Sequence, residues 1–321
     1  MHILLTGSTG FIGHTVARAL TQAGHTVHGG VSPTHRGTSA LQVPMDFAHD
    51  TNAATWLPRL QGIDAVVNAV GVLRDTRARP IDAVHRDTPI ALFNACAQAG
   101  VQRVVHISAL GIEGSATRYA QTKLAAERHL LSLTGQGSGS KNVGAQSIQN
   151  PQSPQGPQGT HSPLSAAILR PSAVYGKGGD SSALFMNLAR LPVALFPGPV
   201  LDARVQPVSV HDLADAVVAL LGPAITQTGV IECTGPAALT MGAFIASLRQ
   251  QLGHGPAKVL RMPQLLTHLS ARAGDAVPAS PWCSETLAML GNDNVGNPAV
   301  LEQLLGRPAV HYSQLVASAW R

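Results

Sequence analysis

Tyr119 and Lys123 are four residues apart in the run Tyr-Ala-Gln-Thr-Lys. On a helix that spacing stacks a phenol and an ammonium on one face, one turn apart. Lysine is scarce in this chain: Lys123, Lys141, Lys177 and Lys258 are the only ones. A phenol titrating near its usual value of about 10 is a poor acid–base group at neutral pH. A nearby ammonium favours the phenolate and brings it toward the working range. Ser108 ends the apolar run Arg103–Ser108 and offers a hydroxyl to orient a substrate oxygen. Together, Ser108, Tyr119 and Lys123 are the candidate catalytic residues for proton transfer at a carbonyl or alcohol.

A second group of residues suits phosphates. The stretch Thr6-Gly7-Ser8-Thr9-Gly10-Phe11-Ile12-Gly13 follows a short apolar run and opens a helical pattern. Gly7 allows a tight turn, Gly10 lets backbone approach a pyrophosphate, and Gly13 lets helix and strand pack closely. Backbone N–H groups at the helix start then hold the phosphates. NAD sites usually place a carboxylate after the second strand, on the ribose hydroxyls. Residues 27–36 contain none, and carry Ser32 and Arg36 instead. A hydroxyl and a guanidinium suit a 2′-phosphate, so NADP(H) is expected over NAD(H). Asp46, after the third strand, is a candidate acceptor for the adenine amino group.

The elements that must position these groups follow from periodicity. Strands are expected at His2–Thr6, Thr26–Val31, Leu41–Met45, Ala65–Val70, Arg103–Ser108 and Ala166–Leu169, and helices at Phe11–Ala23, Asp82–Ala99 and Thr117–Leu133. Continuous apolar runs such as Ala65–Val70 mark strands covered on both faces. Alternating strands and helices predict an α/β fold, a Rossmann-type doubly wound parallel sheet. Residues 1–175 are read as the nucleotide-binding domain. Within it, 134–165 is rich in Gly, Gln, Ser and Pro and is read as a flexible low-complexity insertion. Residues 176–321 are read as a smaller C-terminal α/β lobe, interleaved with the first domain and enclosing the substrate. Helices are expected there at Asp212–Leu221, Met241–Leu252 and Pro263–Arg272, and strands at Gly229–Cys233 and Lys258–Leu260. Arg190, Arg204 and Asp212 are its polar candidates.

Composition narrows the function class. The 22 Lys+Arg exceed the 17 Asp+Glu, giving a formal charge of +5 over 321 residues. The excess is spread along the chain without a basic block, which argues against nucleic acid as a partner. No run approaches the ~18 apolar residues of a membrane span. The first strand begins at about His2, leaving no room for a secretory leader, so a cytoplasmic location is expected. Cys96, Cys233 and Cys283 lie far apart, without disulfide or zinc spacing, and are read as buried apolar fillers.

The chain resembles the short-chain dehydrogenase/reductase superfamily, extended or atypical type, over about residues 1–250. Thr6–Gly13 matches its TGxxGxxG motif. Asn68-Ala69-Val70-Gly71 matches the segment that supports the adenine side of the cofactor, and Ser108, Tyr119 and Lys123 match its catalytic triad. Leu169–Gly176, with Pro171 and Val174, is similar to the segment running beside the nicotinamide, and Gln206–Ala214 to a later VxVxDLA element. Asn68–Leu73 with His106–Gly111 is most similar to a bacterial group related to the 39 kDa subunit of mitochondrial complex I and to NmrA-like proteins. The resemblance implies hydride transfer between NADP(H) and an unidentified small-molecule carbonyl or alcohol. It offers as alternatives a nucleotide-binding assembly or accessory protein of a respiratory or quinone-related complex with structural NADP(H), and a sugar-nucleotide epimerase or dehydratase; association with a membrane complex or as a homo-oligomer is a further expectation. Against the last, Ala173 replaces the asparagine such enzymes typically carry, and Ser108 precedes Tyr119 by only 119 − 108 = 11 residues. No metal ligand set is expected.

Overall fold

A computed structural model describes residues 1–33, 39, 41–134, 164–223, 227–276 and 282–319. Arg36 and nearly all of the Gly/Gln/Ser/Pro-rich insertion lie outside them. Elements are numbered in chain order. The first half comprises β1 (His2–Thr6), α1 (Phe11–Gln22), β2 (Thr26–Val31), β3 (Gln42–Pro44), α2 (Ala53–Trp56), β4 (Ala65–Asn68), α3 (Thr88–Ala99), β5 (Arg103–Ile107), α4 (Arg118–Leu133) and β6 (Ser165–Pro171). The second comprises β7 (Val174–Tyr175), α5 (Asp180–Arg190), β8 (Val193–Pro197), α6 (Gly198–Asp202), β9 (Arg204–Val205), β10 (Val208–Ser209), α7 (Val210–Leu221), β11 (Gly229–Cys233), β12 (Leu239–Thr240), α8 (Met241–Gln251), β13 (Lys258–Met262), α9 (Gln264–Asp275), α10 (Ser284–Leu290), α11 (Pro298–Leu305) and α12 (Leu315–Ser318).

Seven strands form one sheet in the order β11-β6-β5-β4-β1-β2-β3. Every neighbouring pair is parallel, so the expected doubly wound sheet is present. Alternation along β1 sends Ile3 and Leu5 to one face and Leu4 to the other. Ile3 and Leu5 join Val16, Leu20, Leu213 and Val217 under α1 and α7. Leu4 joins Trp56, Leu92, Phe93 and Leu130 under α2, α3 and α4. Helices on both faces explain why every residue of β4 and β5 is buried. β11 extends this sheet although it follows residue 175, pairing with β6 from Gly229–Ala167 to Cys233–Pro171.

Most of the remaining elements pack beside the sheet's carboxyl edge around Phe185, Phe196, Phe244 and Leu248, whereas α11 packs on α7 and β11. Two short ladders, β8 with β13 and β9 with β12, complete this lobe. All three cysteines are free and buried. The helix expected over Asp82–Ala99 is interrupted: Ala83–Asp87 forms a π-helical turn before α3. Thr88 N–H reaches back five residues to the Ala83 carbonyl. Pro89 has no N–H to offer the His85 carbonyl four residues back, which accounts for the widened turn.

Candidate functional site

The glycine loop joins β1 to α1. Gly7 takes φ +70°, a left-handed conformation that glycine adopts without strain. A Cβ on Gly13 would lie 2.0 Å from the Gly7 carbonyl oxygen, so only glycine permits this approach of helix to turn. Gly10 N–H bonds the Gly7 carbonyl at 2.9 Å. Gly10 also stands at the helix start, where α1 has neither a side-chain cap nor an acidic residue in its first turn. Such an end presents backbone N–H groups and a partial positive charge to an anion. The loop therefore fits a dinucleotide pyrophosphate. Ser8 Oγ ties it to β2 through the Gly30 carbonyl at 2.9 Å. The Phe11 ring lies against Gly176 and Gly179, linking the loop to the segment after β7.

A polar row runs across the sheet beneath this loop. Register pairs Thr6 with Asn68 and Asn68 with His106. The Thr6 hydroxyl donates to Asn68 Oδ1 at 2.6 Å, and Asn68 Nδ2 donates to His106 Nδ1 at 3.1 Å. Thr6 Oγ1 also accepts from Ala69 N–H. The Asn68 side chain is thus committed to locking three strand ends together, and Ala69, Val70 and Gly71 continue the segment. A Cβ on Gly7 would touch Val70 and Ala69, so this segment abuts the glycine loop.

One face of α4 carries Tyr119, Lys123 and Glu127 at successive turns, all buried. Thr117 caps the helix by accepting from Ala120 N–H. Lys123 Nζ lies 5.5 Å from the Tyr119 ring centroid and donates to the Ile107 carbonyl at 3.4 Å. Ser108, the next residue, is buried, and its Oγ has no hydrogen-bond partner among the described residues. Such a hydroxyl is available to a ligand. Glu127 pairs with Arg170 of β6, which also reaches Glu113, and so pins α4 to the sheet. Lys123 thus sits between Tyr119 and the end of β5, one residue before Ser108.

Electrostatics depart from expectation at Tyr119. Burial, followed by the Glu285 carboxylate, pushes its phenol above the ordinary value. Glu285 Oε1 accepts the Tyr119 backbone N–H at 2.9 Å. Burial outweighs the help of Glu127 and lowers Lys123 to about 8. An ammonium engaged by a carbonyl does not offset a buried phenol with a carboxylate beside it.

Sequence reasoning missed Glu285 and His85. His85 Nε2 accepts the Val72 N–H at 3.0 Å, and its ring stands edge-on to Tyr119 at 5.1 Å between centroids. Its Nδ1 is buried without a partner among the described residues. Burial, then the Lys123 charge, holds His85 neutral with a pKa of about 2 and His106 with one of about 3. His85 rides on the π-helical turn, for which the sequence carries no periodic signal beyond Pro89. Glu285 is 166 residues from Tyr119 and has no local signature.

The other expected residues are placed as follows. Ser32 directly follows β2. Asp46 sits after β3, with Oδ1 accepting from Ala48 N–H and Oδ2 on His49 Nδ1. Pro171 ends β6, and its carbonyl accepts Leu110 N–H; Val174 pairs with Val208. Arg190 bonds Asn187. Arg204 accepts Asn294 N–H at its carbonyl. Asp212 is fully buried, pairing with Arg307 and accepting Val310 N–H. A cavity of about 40 Å³ borders Tyr119, lined by Ile112, Met289 and Asn294 among others.

Comparison with known proteins gives the family and the fold. The model of the NAD dependent epimerase/dehydratase family matches residues 3–229. Ceramide reductase of Caulobacter vibrioides is 28% identical over 223 residues, covering 68% of this chain and 60% of that protein. UDP-glucose 4-epimerase of Vibrio cholerae is 26% identical over 242 residues, covering 67% and 65%. The chain thus spans less than two thirds of the length of these relatives. Among solved structures, an NADPH-dependent quinone oxidoreductase from Escherichia coli, complexed with NADPH, superposes with a TM-score of 0.69 at 16% identity, covering 99% of this chain and 100% of that one. A UDP-glucuronic acid 4-epimerase from Bacillus cereus, in complex with UDP-glucuronic acid and NAD, gives 0.64 at 18%, covering 100% and 98%. At those identities the likeness is one of fold.

Proposed function

The chain belongs to the NAD dependent epimerase/dehydratase family, and from that premise we propose that it is an NADP(H)-dependent oxidoreductase acting on a small carbonyl or alcohol. The observation that carries the reading is the Lys123 ammonium, which lies 5.5 Å from the Tyr119 ring and engages the Ile107 carbonyl just before the partnerless Ser108 hydroxyl. Gly7–Gly13 would hold the pyrophosphate, Asn68–Gly71 would back the adenine side, and Pro171 and Val174 would flank the nicotinamide. Ser32 and Arg36 would receive the 2′-phosphate. NADP(H), when bound, supplies or accepts the hydride. Ser108 orients the substrate oxygen, Tyr119 Oη transfers the proton, and Lys123 binds ribose and favours the phenolate against the burial and the Glu285 carboxylate that raise it. Replacing Tyr119 by Phe should abolish turnover in a carbonyl and quinone screen and leave nucleotide affinity unchanged. An unaltered kcat in that variant removes the assignment.

A second reading has its own observation. Burial and Glu285 both disfavour the Tyr119 phenolate, as suits a protein in which the nucleotide is structural. The resemblance to the complex I subunit agrees with it. On this reading the nucleotide should co-purify and no carbonyl should oxidise it. A sugar-nucleotide substrate is the least supported, because Ala173 cannot bond a diphosphate through its side chain.

A further inference from the structure

The large apolar side chains left in solvent are concentrated in the C-terminal lobe. In the β8–β13 ladder, Val193 pairs with Lys258 and Leu195 with Leu260. Alternation turns Phe196 into the lobe's core and leaves Val193, Leu195 and Leu260 on the opposite face, between 43% and 52% exposed. The helix that follows repeats the pattern. α9 buries Thr267, Ala271 and Gly274 and exposes Leu265, Leu266 and Leu269, the first at 72%. A surface helix normally does the reverse, turning its leucines inward. Clustered exposure of this kind marks a contact surface.

Two observations select the occupant. From Cys233 to Gly274 the chain contains no Asp or Glu, whereas Arg249, Lys258, Arg261 and Arg272 all fall within it. Arg261 is matched by Asp202, while Lys258 shares the outward side of its ladder with Val193. The residue types are the second. Protein interfaces are anchored by Trp, Tyr, Phe, Met and Arg, and Leu and Val are poor anchors. A leucine and valine face fringed by Lys258, Arg261 and Arg272, whose carboxylates are Asp202, paired with Arg261, and Asp275 at the end of α9, matches the boundary of an anionic bilayer.

We propose that the β8–β13 ladder and α9 dock this protein onto an anionic lipid surface, with the α9 leucines entering the headgroup–acyl boundary. Among the described residues no helix is long and apolar enough to cross a membrane, so the contact is interfacial. α9 packs on α10, which carries Glu285 against Tyr119, so the docked face belongs to the lobe that walls the candidate site. The proposal does not depend on the redox reading.

The test is flotation of the full chain with vesicles of phosphatidylcholine alone or mixed with phosphatidylglycerol. The wild type should float with the mixed vesicles and be released by high salt. The Leu265→Asp/Leu269→Asp variant should partition at least about tenfold less, since two exposed leucines are exchanged for charges. Both substitutions are on solvent-facing positions, so far-UV circular dichroism and NADPH affinity should not change. Failure of the wild type to float, or equal partition of a folded variant, overturns the proposal. A wild-type dimer that the variant lacks, without vesicle binding, assigns the face to a second copy and also overturns it.

Discussion

Acidification should destabilise this protein through two buried histidines. His85 and His106 are each 2% exposed, with pKa values of about 2 and about 3 against an ordinary 6.5. The folded state therefore refuses protons that the unfolded chain takes up below about 6.5. Stability from this source is complete above that pH and is lost as pH falls toward about 3 and then 2. Between about pH 7 and pH 5 each histidine should cost about 2 kcal/mol, and the pair ~4 kcal/mol. That is a large share of a typical folding free energy of about 5–15 kcal/mol. Carboxylates such as Asp82, already below 3.8, do not contribute in this window. His25, His28 and His129 are also lowered but are only partly buried, so their shares are smaller. Urea unfolding at the two pH values measures the loss. His106→Gln, whose carbonyl can still accept from Asn68, should be weaker at neutral pH, yet lose about 2 kcal/mol less than the wild type on acidification. An acid loss as large in His106→Gln and in His85→Gln as in the wild type would refute the reasoning.

Other expectations follow from single contacts. Glu127→Gln strands the buried Arg170 guanidinium with only the exposed Glu113 and should cost about 3 kcal/mol in urea unfolding. Glu113→Gln should cost under about 1 kcal/mol, and equal losses would contradict the ranking. Arg36→Ala should weaken NADPH and leave NADH unchanged in calorimetric titration; a parallel loss of both would remove the 2′-phosphate assignment.

Much of the frame was legible because it is local. Continuous apolar runs locate β1, β4 and β5, and the glycine spacing marks the turn that only a missing Cβ allows at Gly13. Tyr119 and Lys123 share a face because a helix repeats every turn. What escaped depends on distant partners. Glu285 reaches Tyr119 from the far end of the chain, and Arg170 finds Glu127 across the sheet. His85 was hidden for another reason: its direction is set by a π-helical turn rather than by the 3.6-residue repeat. Gly229–Cys233 reads as a strand, but only three-dimensional packing shows it extending the main sheet beside β6. The direction of the Tyr119 shift was misread because spacing reveals the ammonium and conceals both the burial and the carboxylate.

In the proposed role the β1–α1 turn holds a nicotinamide dinucleotide whose 2′-phosphate is recognised. Calorimetric titration of the wild type and of Gly13→Ala with NADPH and NADH tests it most directly. A Cβ at Gly13 would meet the Gly7 carbonyl at 2.0 Å, so the turn must open and its N–H groups must move. Tight NADPH binding, weaker NADH binding, and loss of both in a Gly13→Ala chain that remains folded by circular dichroism are expected. Unchanged affinity in that folded variant, or no affinity of the wild type for either nucleotide, would contradict it.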